Sequence, residues 1–313
     1  MWHCCRQSWA TQYYHDVADD VVRIGVDPPY QEEAHRFLRQ EFTDNLYEVR
    51  GPWESSYQPG SDSPRGAVTG QCQNQLCPGI TIDNCRGKAF LFSGAVANHE
   101  LGLTVAHATK PGDNIAIHSD HACRIVGRCR ETYDNLERQS GEKLSADLAL
   151  LELYSQKCSV DNTVRWPIPS GKSLQIKIYK GQEDPGYPEV MILDQNGDFQ
   201  YGSIRRDHLT DMKLKDKDLH NVLAICTKNG QKEVSITQSG DSGALVMSRP
   251  RTENNVIYIY GIVSGIYTEP TNDGSLTVAN SLWDVIHELR TNRNCHSQLQ
   301  NNNSYPGGDI DFI

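Results

Sequence analysis

The chain has 313 residues, of which 37% are hydrophobic and 22% are charged, a composition that is ordinary for a globular protein. Its length suits one large domain, or two smaller domains with an extra segment. The formal net charge of −10 disfavours binding to nucleic-acid phosphates or to anionic membranes, and no apolar stretch is long enough to span a bilayer. We therefore expect neither a nucleic acid nor a membrane as a partner.

Residues 1–79 are predicted to form an N-terminal extension that is partly helical. The chain begins with MWHCCRQSWATQYYHD, which lacks the basic, apolar and small-residue segments of a secretory signal. A cytoplasmic location is therefore expected if this N-terminus is authentic. The segment 31–42 carries its apolar residues on one helical face, at Ala34, Phe37, Leu38 and Phe42. Residues 51–79 are rich in Gly, Pro, Ser and Gln, which predicts a linker or an irregular wrapping segment.

From about residue 80 the sequence changes to short apolar runs that are separated by turn residues. The first set of candidate strands lies at 80–83, 88–97, 101–108, 114–119, 122–129 and 146–153. The second set lies at 174–179, 189–194, 198–204, 221–227, 243–248, 255–265 and 276–279. An amphipathic helix is predicted at 281–290, with an apolar stripe formed by Leu282, Val285, Ile286 and Leu289. Two successive strand sets with a terminal helix favour an all-β protein with paired barrels. The polar residues 293–313 are predicted to be a disordered tail.

Ten cysteines are present, which is a modest density for disulfides in a chain of this length. Cys123 and Cys129 flank a run that fits one strand, whose ends would lie too far apart to bridge. Cys72, Cys77 and Cys85 lack the paired CxxC spacing of a zinc ribbon, and no HxxxH follows them. Reduced thiols are therefore favoured, and neither a metal nor a cofactor is predicted.

Three short segments carry residues that could perform chemistry. His107 follows an apolar run in LTVAHAT, Asp147 heads the run ADLALLEL, and Ser242 lies in the turn of QSGDSGALV. Each segment alone is compatible with a structural role, such as a turn or a cap. Their combination is more specific, because His107 and Asp147 fall in the first strand set and Ser242 in the second.

These residue types suit nucleophilic catalysis in a cleft between two barrels. A serine hydroxyl is a poor nucleophile at neutral pH and needs a base within hydrogen-bond reach. A histidine can accept that proton and return it to a leaving amine, and a buried carboxylate fixes its tautomer. Gly240, two residues before Ser242, allows a sharp turn that aims backbone N–H groups at a developing oxyanion.

In the content and order of these segments, residues 80–292 resemble the chymotrypsin-like family of two-barrel serine proteases. The resemblance implies two six-stranded antiparallel Greek-key barrels with a C-terminal helix, and a protein or peptide substrate. It implies that His107 is the general base, that Asp147 orients it and that Ser242 is the nucleophile. The backbone N–H groups of Gly240 and Ser242 would form the oxyanion hole.

The resemblance also implies which residues contact the substrate. Ser264, Gly265 and Ile266 match the family's strand that pairs with the substrate backbone. By family position, Ile236 would line the floor of the primary specificity pocket, with Thr237 beside it. Neither residue is acidic, and Ile266 would narrow the entrance. We therefore expect a small or medium apolar residue before the scissile bond, and not Arg or Lys.

The chain departs from secreted members of the family in two ways. Ala108 and Gln238 occupy positions where those members often have cysteines, so the usual disulfides are not supported. No well-placed activation sequence of the R-IVGG type is found, although Asp241 is the carboxylate that would pair with a released N-terminus. Asp241 therefore needs another partner, because an unpaired buried carboxylate is costly.

Two other classes of function stay open at this point. The chain could be a catalytically silent protein that uses a protease fold for binding, although the complete set of His107, Asp147 and Ser242 argues against this. It could also be an adaptor in which residues 1–79 are the functional module and the helix at 31–42 is the docking face. Such apolar stripes usually pack on their own domain.

Overall fold

The computed structural model describes residues 10–16, 21–26, 28–41, 47–50, 75–96, 101–119, 122–138, 140–165, 173–180, 189–210, 212–214, 217–229, 232–249, 256–268 and 274–291. Most of the predicted linker 51–79 and all of the predicted tail 293–313 lie outside the described residues, as do Phe42 and Cys72. No helix among the described residues is long and apolar enough to cross a membrane.

Strands dominate the described residues. In chain order they are β1 (Ala10–Asp16), β2 (Val21–Val26), β3 (Tyr47–Arg50), β4 (Gln75–Leu76), β5 (Thr81–Asp83), β6 (Ala89–Leu91), β7 (Gly94–Val96), β8 (Leu101–Thr104), β9 (Asn114–Ser119), β10 (Ala122–Glu137), β11 (Lys143–Leu153), β12 (Ser159–Val160), β13 (Thr163–Arg165), β14 (Ser173–Ile178), β15 (Glu189–Leu193), β16 (Phe199–Thr210), β17 (Met212–Leu214), β18 (Lys217–Leu219), β19 (Val222–Asn229), β20 (Lys232–Val234), β21 (Leu245–Ser248), β22 (Val256–Thr268) and β23 (Ser275–Ser281). The helices are α1 (Gln31–Glu41) and α2 (Leu282–Thr291), with 3-10 turns at Pro28–Tyr30 and Ala106–Ala108.

The first strand set forms a seven-stranded antiparallel sheet in the order β6-β5-β9-β10-β11-β8-β7. Only Phe92 and Ser93 separate β6 from β7, so one chain segment forms both ends of the sheet, which curves back on itself. Phe92 N–H donates to Ile80 O on one side, and Ser93 N–H donates to Leu103 O on the other, each at 2.9 Å. All six predicted strands of this set are present, with β10 and β11 longer than predicted.

The second strand set forms a closed ring of six antiparallel strands. The order is β15-β16-β19-β23-β22-β21, and β21 pairs again with β15. The predicted strand 174–179 is not part of this ring, since β14 pairs with β22 in parallel outside it. The other six predicted strands of the set form the ring. The predicted two-barrel, all-β fold is confirmed.

The terminal helix α2 packs into the apolar core as predicted. Leu282, Val285, Ile286 and Leu289 are all buried. They belong to one apolar cluster that also contains side chains of β11 in the first barrel and of β22 in the second. The same cluster therefore joins both barrels.

The N-terminal residues contain three strands that sequence analysis does not predict. Strand β1 pairs with β16, β2 pairs with β1, and β3 pairs with β2. Val22, Ile24 and Val26 alternate with the period of two that is typical of a strand, which is the signal that could have predicted β2. Helix α1 packs its buried Ala34 and Leu38 against Ile24 and Val26. The apolar face of α1 is therefore covered by its own strands, which argues against its use as a docking face.

Candidate active site

His107 lies just after the end of β8, in the 3-10 turn Ala106–Ala108. Two hydrogen bonds hold this turn. The buried side chain of Asn84 donates from Nδ2 to Ala108 O at 2.9 Å, and Thr109 N–H donates to Ala106 O at 3.2 Å. The imidazole is thus placed by a short turn that is fixed from both sides of the residue.

Asp147 lies in a bulge of strand β11. Tyr133 and Asn135 on β10 pair with Leu148 and Ser145, so two residues of β11 face one residue of β10 at this point. The backbone of Asp147 adopts a φ of 35°, which residues other than glycine rarely adopt. Bulges next to active sites re-aim a side chain, and here the bulge directs the carboxylate of Asp147 to His107.

The structure brings His107, Asp147 and Ser242 together in a chain of hydrogen bonds. Asp147 Oδ1 accepts from the backbone N–H of His107 at 2.9 Å, and Asp147 Oδ2 lies 2.8 Å from His107 Nδ1. On the other side of the ring, His107 Nε2 lies 3.2 Å from Ser242 Oγ. A carboxylate can only accept, so it selects the tautomer with the proton on Nδ1. Nε2 then carries a lone pair that can accept the proton of Ser242.

Ser242 lies in the loop between β20 and β21, between two glycines with left-handed backbone. Gly240 has a φ of 103° and Gly243 a φ of 93°. A Cβ atom on Gly243 would lie 2.2 Å from the carbonyl oxygen of Leu91, so the first barrel approaches this loop too closely for any side chain. The Gly-Asp-Ser-Gly segment therefore has a physical requirement for glycine on both sides of the Asp-Ser pair.

The backbone of the loop leaves two N–H groups available for a ligand. Among the described residues, the structure gives no hydrogen-bond acceptor for the N–H of Gly240 or of Ser242. The N–H groups of the neighbouring residues do have acceptors. Asp241 N–H donates to Gln238 O at 3.2 Å, and Gly243 N–H donates to Val263 O at 2.9 Å. The N–H groups of Gly240 and Ser242 are the two that are predicted to form the oxyanion hole.

The carboxylate of Asp241, which is 1% exposed, has two backbone N–H groups as its hydrogen-bond partners. The sequence alone does not identify them. Asp241 Oδ1 accepts from Gln195 N–H at 2.9 Å, and its Oδ2 accepts from Gln238 N–H at 2.8 Å. Burial raises the pKa of the Asp241 carboxyl to about 6, and the two backbone hydrogen bonds offset part of that effect. The negative charge of Asp194 adds to the increase of this pKa.

The predicted substrate-contacting residues lie on the second barrel. Ile236 and Thr237 are buried before the Ser242 loop, and Ile266 is partly exposed on β22. Thr237 Oγ1 lies 2.8 Å from the Oγ1 of Thr277, and Thr277 is the pairing partner of Ile266. Thr237 and Ile266 therefore both adjoin Thr277 on β23.

Ser264 and Gly265 are buried in β22. Ser264 Oγ accepts a hydrogen bond of 2.5 Å from Asn280 Nδ2 on the neighbouring strand β23. Sequence analysis did not select Asn280 or Thr277. It also did not select Ser235, whose hydroxyl lies 2.8 Å from that of Thr277. Buried hydroxyls and amides of this kind have no local sequence signal, because their partners lie on other strands.

Comparisons with solved structures return serine proteases of low sequence identity. Thermobifida fusca protease A is 13% identical, with 69% of this chain and 96% of that chain covered and a TM-score of 0.46. Cellulomonas bogoriensis chymotrypsin is 14% identical, with 68% and 94% covered and a TM-score of 0.44. A Mycobacterium tuberculosis protease in an inactive form is 13% identical, with 69% and 88% covered and a TM-score of 0.41.

No protein-family model matches the chain, and no curated protein gives a significant match. The solved structures to which the chain is similar are chymotrypsin-like serine proteases. The assignment of the two-barrel fold rests on the closed ring of β15-β16-β19-β23-β22-β21 and on the curved sheet of the first barrel.

Proposed function

We infer that this chain is a serine endopeptidase, with residues 80–292 as its protease domain and residues 1–79 as an N-terminal extension. The observation that carries this proposal is the chain of hydrogen bonds from Asp147 through His107 to Ser242, whose members come from both barrels. A structural role would not require a histidine that is bonded at both ring nitrogens to a carboxylate and a serine hydroxyl.

In the proposed mechanism, Ser242 Oγ attacks the carbonyl carbon of the scissile peptide bond while its proton moves to His107 Nε2. Asp147 keeps the ring oriented and stabilises the imidazolium that forms. The carbonyl oxygen becomes an oxyanion, which the N–H groups of Gly240 and Ser242 stabilise. His107 then gives the proton to the leaving amine, and the peptide bond breaks to leave an acyl-enzyme on Ser242.

Deacylation repeats these steps with water. His107 takes a proton from the water molecule, whose oxygen attacks the acyl carbon. The bond between that carbon and Ser242 Oγ breaks, and the serine oxygen recovers its proton from His107. In this mechanism His107 makes every proton transfer, from a position at hydrogen-bond distance from Ser242 Oγ. No metal or cofactor takes part in the proposed steps.

Substrate preference is proposed from the residues around Thr277. Ile236 and Ile266 supply apolar surface, while the hydroxyls of Thr237 and Thr277 already bond to each other. A small or medium apolar residue before the scissile bond suits such a pocket, and a basic residue would meet no carboxylate among these residues.

The experiment is the hydrolysis of a mixture of unstructured peptides at pH 7.5, followed by mass spectrometry of the products. Wild type is compared with Ser242→Ala and with Ser155→Ala, a matched change of an exposed serine in the 154–157 turn. We expect cleavage by wild type and by Ser155→Ala, with Ser242→Ala at background. Cleavage that persists in Ser242→Ala would contradict the assigned nucleophile. No cleavage by a folded wild type would favour a binding protein, and exclusive cleavage after Arg would contradict the proposed preference.

A further inference from the structure

We propose that the side chain of Gln195 is a positioning residue, which holds the Ser239–Gly240 peptide in the orientation that directs the Gly240 N–H to the oxyanion. This inference rests on the proposed function. Gln195 lies just after strand β15, on a hairpin of the second barrel, and it is buried. It is distant from the loop along the sequence, since its contacts with Ser239 and Asp241 span 44 and 46 residues.

Gln195 bonds to the loop on both sides of Gly240. Its Nε2 donates to Ser239 O at 2.8 Å, and its backbone N–H donates to Asp241 Oδ1 at 2.9 Å. The carbonyl of Ser239 and the N–H of Gly240 belong to one peptide group. In a trans peptide these two groups point in opposite directions, and no cis peptide is present in the described residues. A bond that fixes Ser239 O therefore also fixes the direction of the Gly240 N–H.

Gly240 makes such a restraint necessary. Its φ of 103° is accessible because it has no Cβ, but the same freedom allows the preceding peptide group to rotate at low cost. After a half-turn of that peptide, Ser239 O would face the oxyanion site and repel the developing negative charge. The hydrogen bond from Gln195 Nε2 opposes this rotation, because it would be lost in the rotated state.

The position of the Gln195 side-chain amide supports the role of its nitrogen as the donor to Ser239 O. A Cβ atom on Gly240 would lie 2.3 Å from Gln195 Oε1, so the amide lies directly against the glycine. Gln195 Oε1 is buried and has no hydrogen-bond partner among the described residues. The reverse orientation of the amide would place Oε1 against Ser239 O, where two acceptors would repel each other. The hydrogen bond of Nε2 to Ser239 O therefore fixes the orientation of the amide, although it leaves Oε1 buried without a hydrogen-bond partner among the described residues.

The hairpin that presents Gln195 is itself well fixed. Asp194 Oδ1 accepts from the backbone N–H groups of Asn196 and Asp198, each at 2.9 Å. Gln200 on β16 donates from Nε2 to Asp194 Oδ2 at 2.9 Å. Gln200 thus provides a matched control, as a glutamine of the same hairpin whose amide bonds to Asp194 and not to the nucleophile loop.

The test compares hydrolysis of one cleavable peptide by wild type, Gln195→Leu and Gln200→Leu, with Gln195→Met as a second variant that also lacks the donor. We expect both Gln195 variants to lower kcat by about 10- to 100-fold, because oxyanion donors act in the transition state. KM is expected to stay within about twofold of wild type, because uniform substrate binding is unchanged. Gln200→Leu is expected to keep the wild-type kcat, since two backbone bonds still hold Asp194.

Four results would overturn the inference. These are an unchanged kcat in the Gln195 variants, a rise of KM alone, an equal loss of kcat in Gln200→Leu, and failure of both Gln195 variants to fold while Gln200→Leu folds. The last result would show that the amide supports the fold and not the peptide orientation. An inactive wild type would instead overturn the proposed function and this inference together. An active wild type with unaffected Gln195 variants would overturn this inference alone.

Discussion

Ser93 Oγ donates a hydrogen bond of 2.7 Å to the carbonyl oxygen of Gly243, which joins the first barrel to the loop that carries Ser242. Leu91 N–H makes a second bond of this kind, to Ser242 O at 2.8 Å. The position of the proposed nucleophile is therefore set by both barrels. His107 and Asp147 belong to the first barrel, so these bonds also fix the distance between the base and the serine.

Replacement of Ser93 by alanine is expected to destabilise the protein. Ser93 is fully buried, and its loss leaves the carbonyl of Gly243 without this donor. We expect the free energy of unfolding in urea to fall by about 1–3 kcal/mol. The exposed Ser155→Ala is the control and is expected to change this free energy by less than about 0.5 kcal/mol. Equal effects of the two changes would contradict the importance of the bond.

Gly243→Ala is expected to be far more damaging than Gly112→Ala, although the two glycines have nearly the same φ. Their φ values are 93° and 90°. A Cβ atom on Gly112 meets nothing within 4 Å, whereas one on Gly243 would lie 2.2 Å from Leu91 O. Gly112→Ala should cost only the left-handed strain of about 1–2 kcal/mol.

The measurement for this pair is the urea midpoint of each variant. Gly243→Ala is expected to lose several times as much stability as Gly112→Ala, or to fail to fold, because backbone of the first barrel must move. Similar midpoints for the two variants would show that the nucleophile loop tolerates displacement from Leu91. That outcome would contradict the close packing of the two barrels at this point.

Asp147→Asn is expected to lower kcat by about 10⁴-fold with little loss of stability. The amide still offers one oxygen to the backbone N–H of His107, but it no longer selects the tautomer that leaves Nε2 able to accept a proton. The control is Asp198→Asn, a change of an exposed aspartate, with an expected kcat close to that of wild type. A loss of less than tenfold in Asp147→Asn would mean that His107 does not depend on this carboxylate.

Asp241 is expected to make stability fall as the pH rises. Its pKa in the folded protein, about 6, lies above the ordinary value of 3.8, so the folded state binds this proton more tightly than the unfolded state does. The resulting stabilisation is fully present below about pH 4 and is lost as the pH rises through about 6. Asp241→Asn has no such titration.

The measurement is the free energy of unfolding of wild type and Asp241→Asn at pH 4, 5, 6 and 7. The value of wild type minus that of the variant is expected to fall by about 2 kcal/mol over this range. The constant cost of the asparagine cancels from this comparison between pH values. A difference that stays level would show that the two backbone donors cancel the effect of burial on this pKa, and a difference that rises with pH would show that they outweigh it.

The sequence predicts the fold and the residues His107, Asp147 and Ser242, because both can be read from patterns along the chain. The alternation of apolar residues and turns predicts the strands of both barrels, and the apolar stripe of α2 is a simple helical period. His107 and Ser242 lie in short segments that are each compatible with an ordinary turn, and they become specific through their order and the two strand sets that carry them. Asp147 is predicted only through its order with these two, since an aspartate at the start of a strand is common.

The remaining features depend on contacts between distant segments. Gln195 has no local pattern, and its role follows only from the hairpin that brings it to Ser239 and Asp241. The partner of Asp241 is backbone, which no sequence motif encodes. Strand β1 was not predicted because it lacks regular alternation and gains its place by pairing with β16. These features depend on tertiary structure, whereas the residue types that are proposed to be catalytic can be read from the sequence.

The most direct test of the proposed function is labelling of the folded protein with a fluorophosphonate, followed by mass spectrometry of the adduct. The proposal predicts one adduct on Ser242 in wild type and in Ser155→Ala, and no adduct in Ser242→Ala. Labelling of His107→Ala is expected to fall to background as well, because Ser242 then lacks its base. A folded wild type that takes no label, or that takes it at a residue other than Ser242, would contradict the claim that Ser242 is an activated nucleophile.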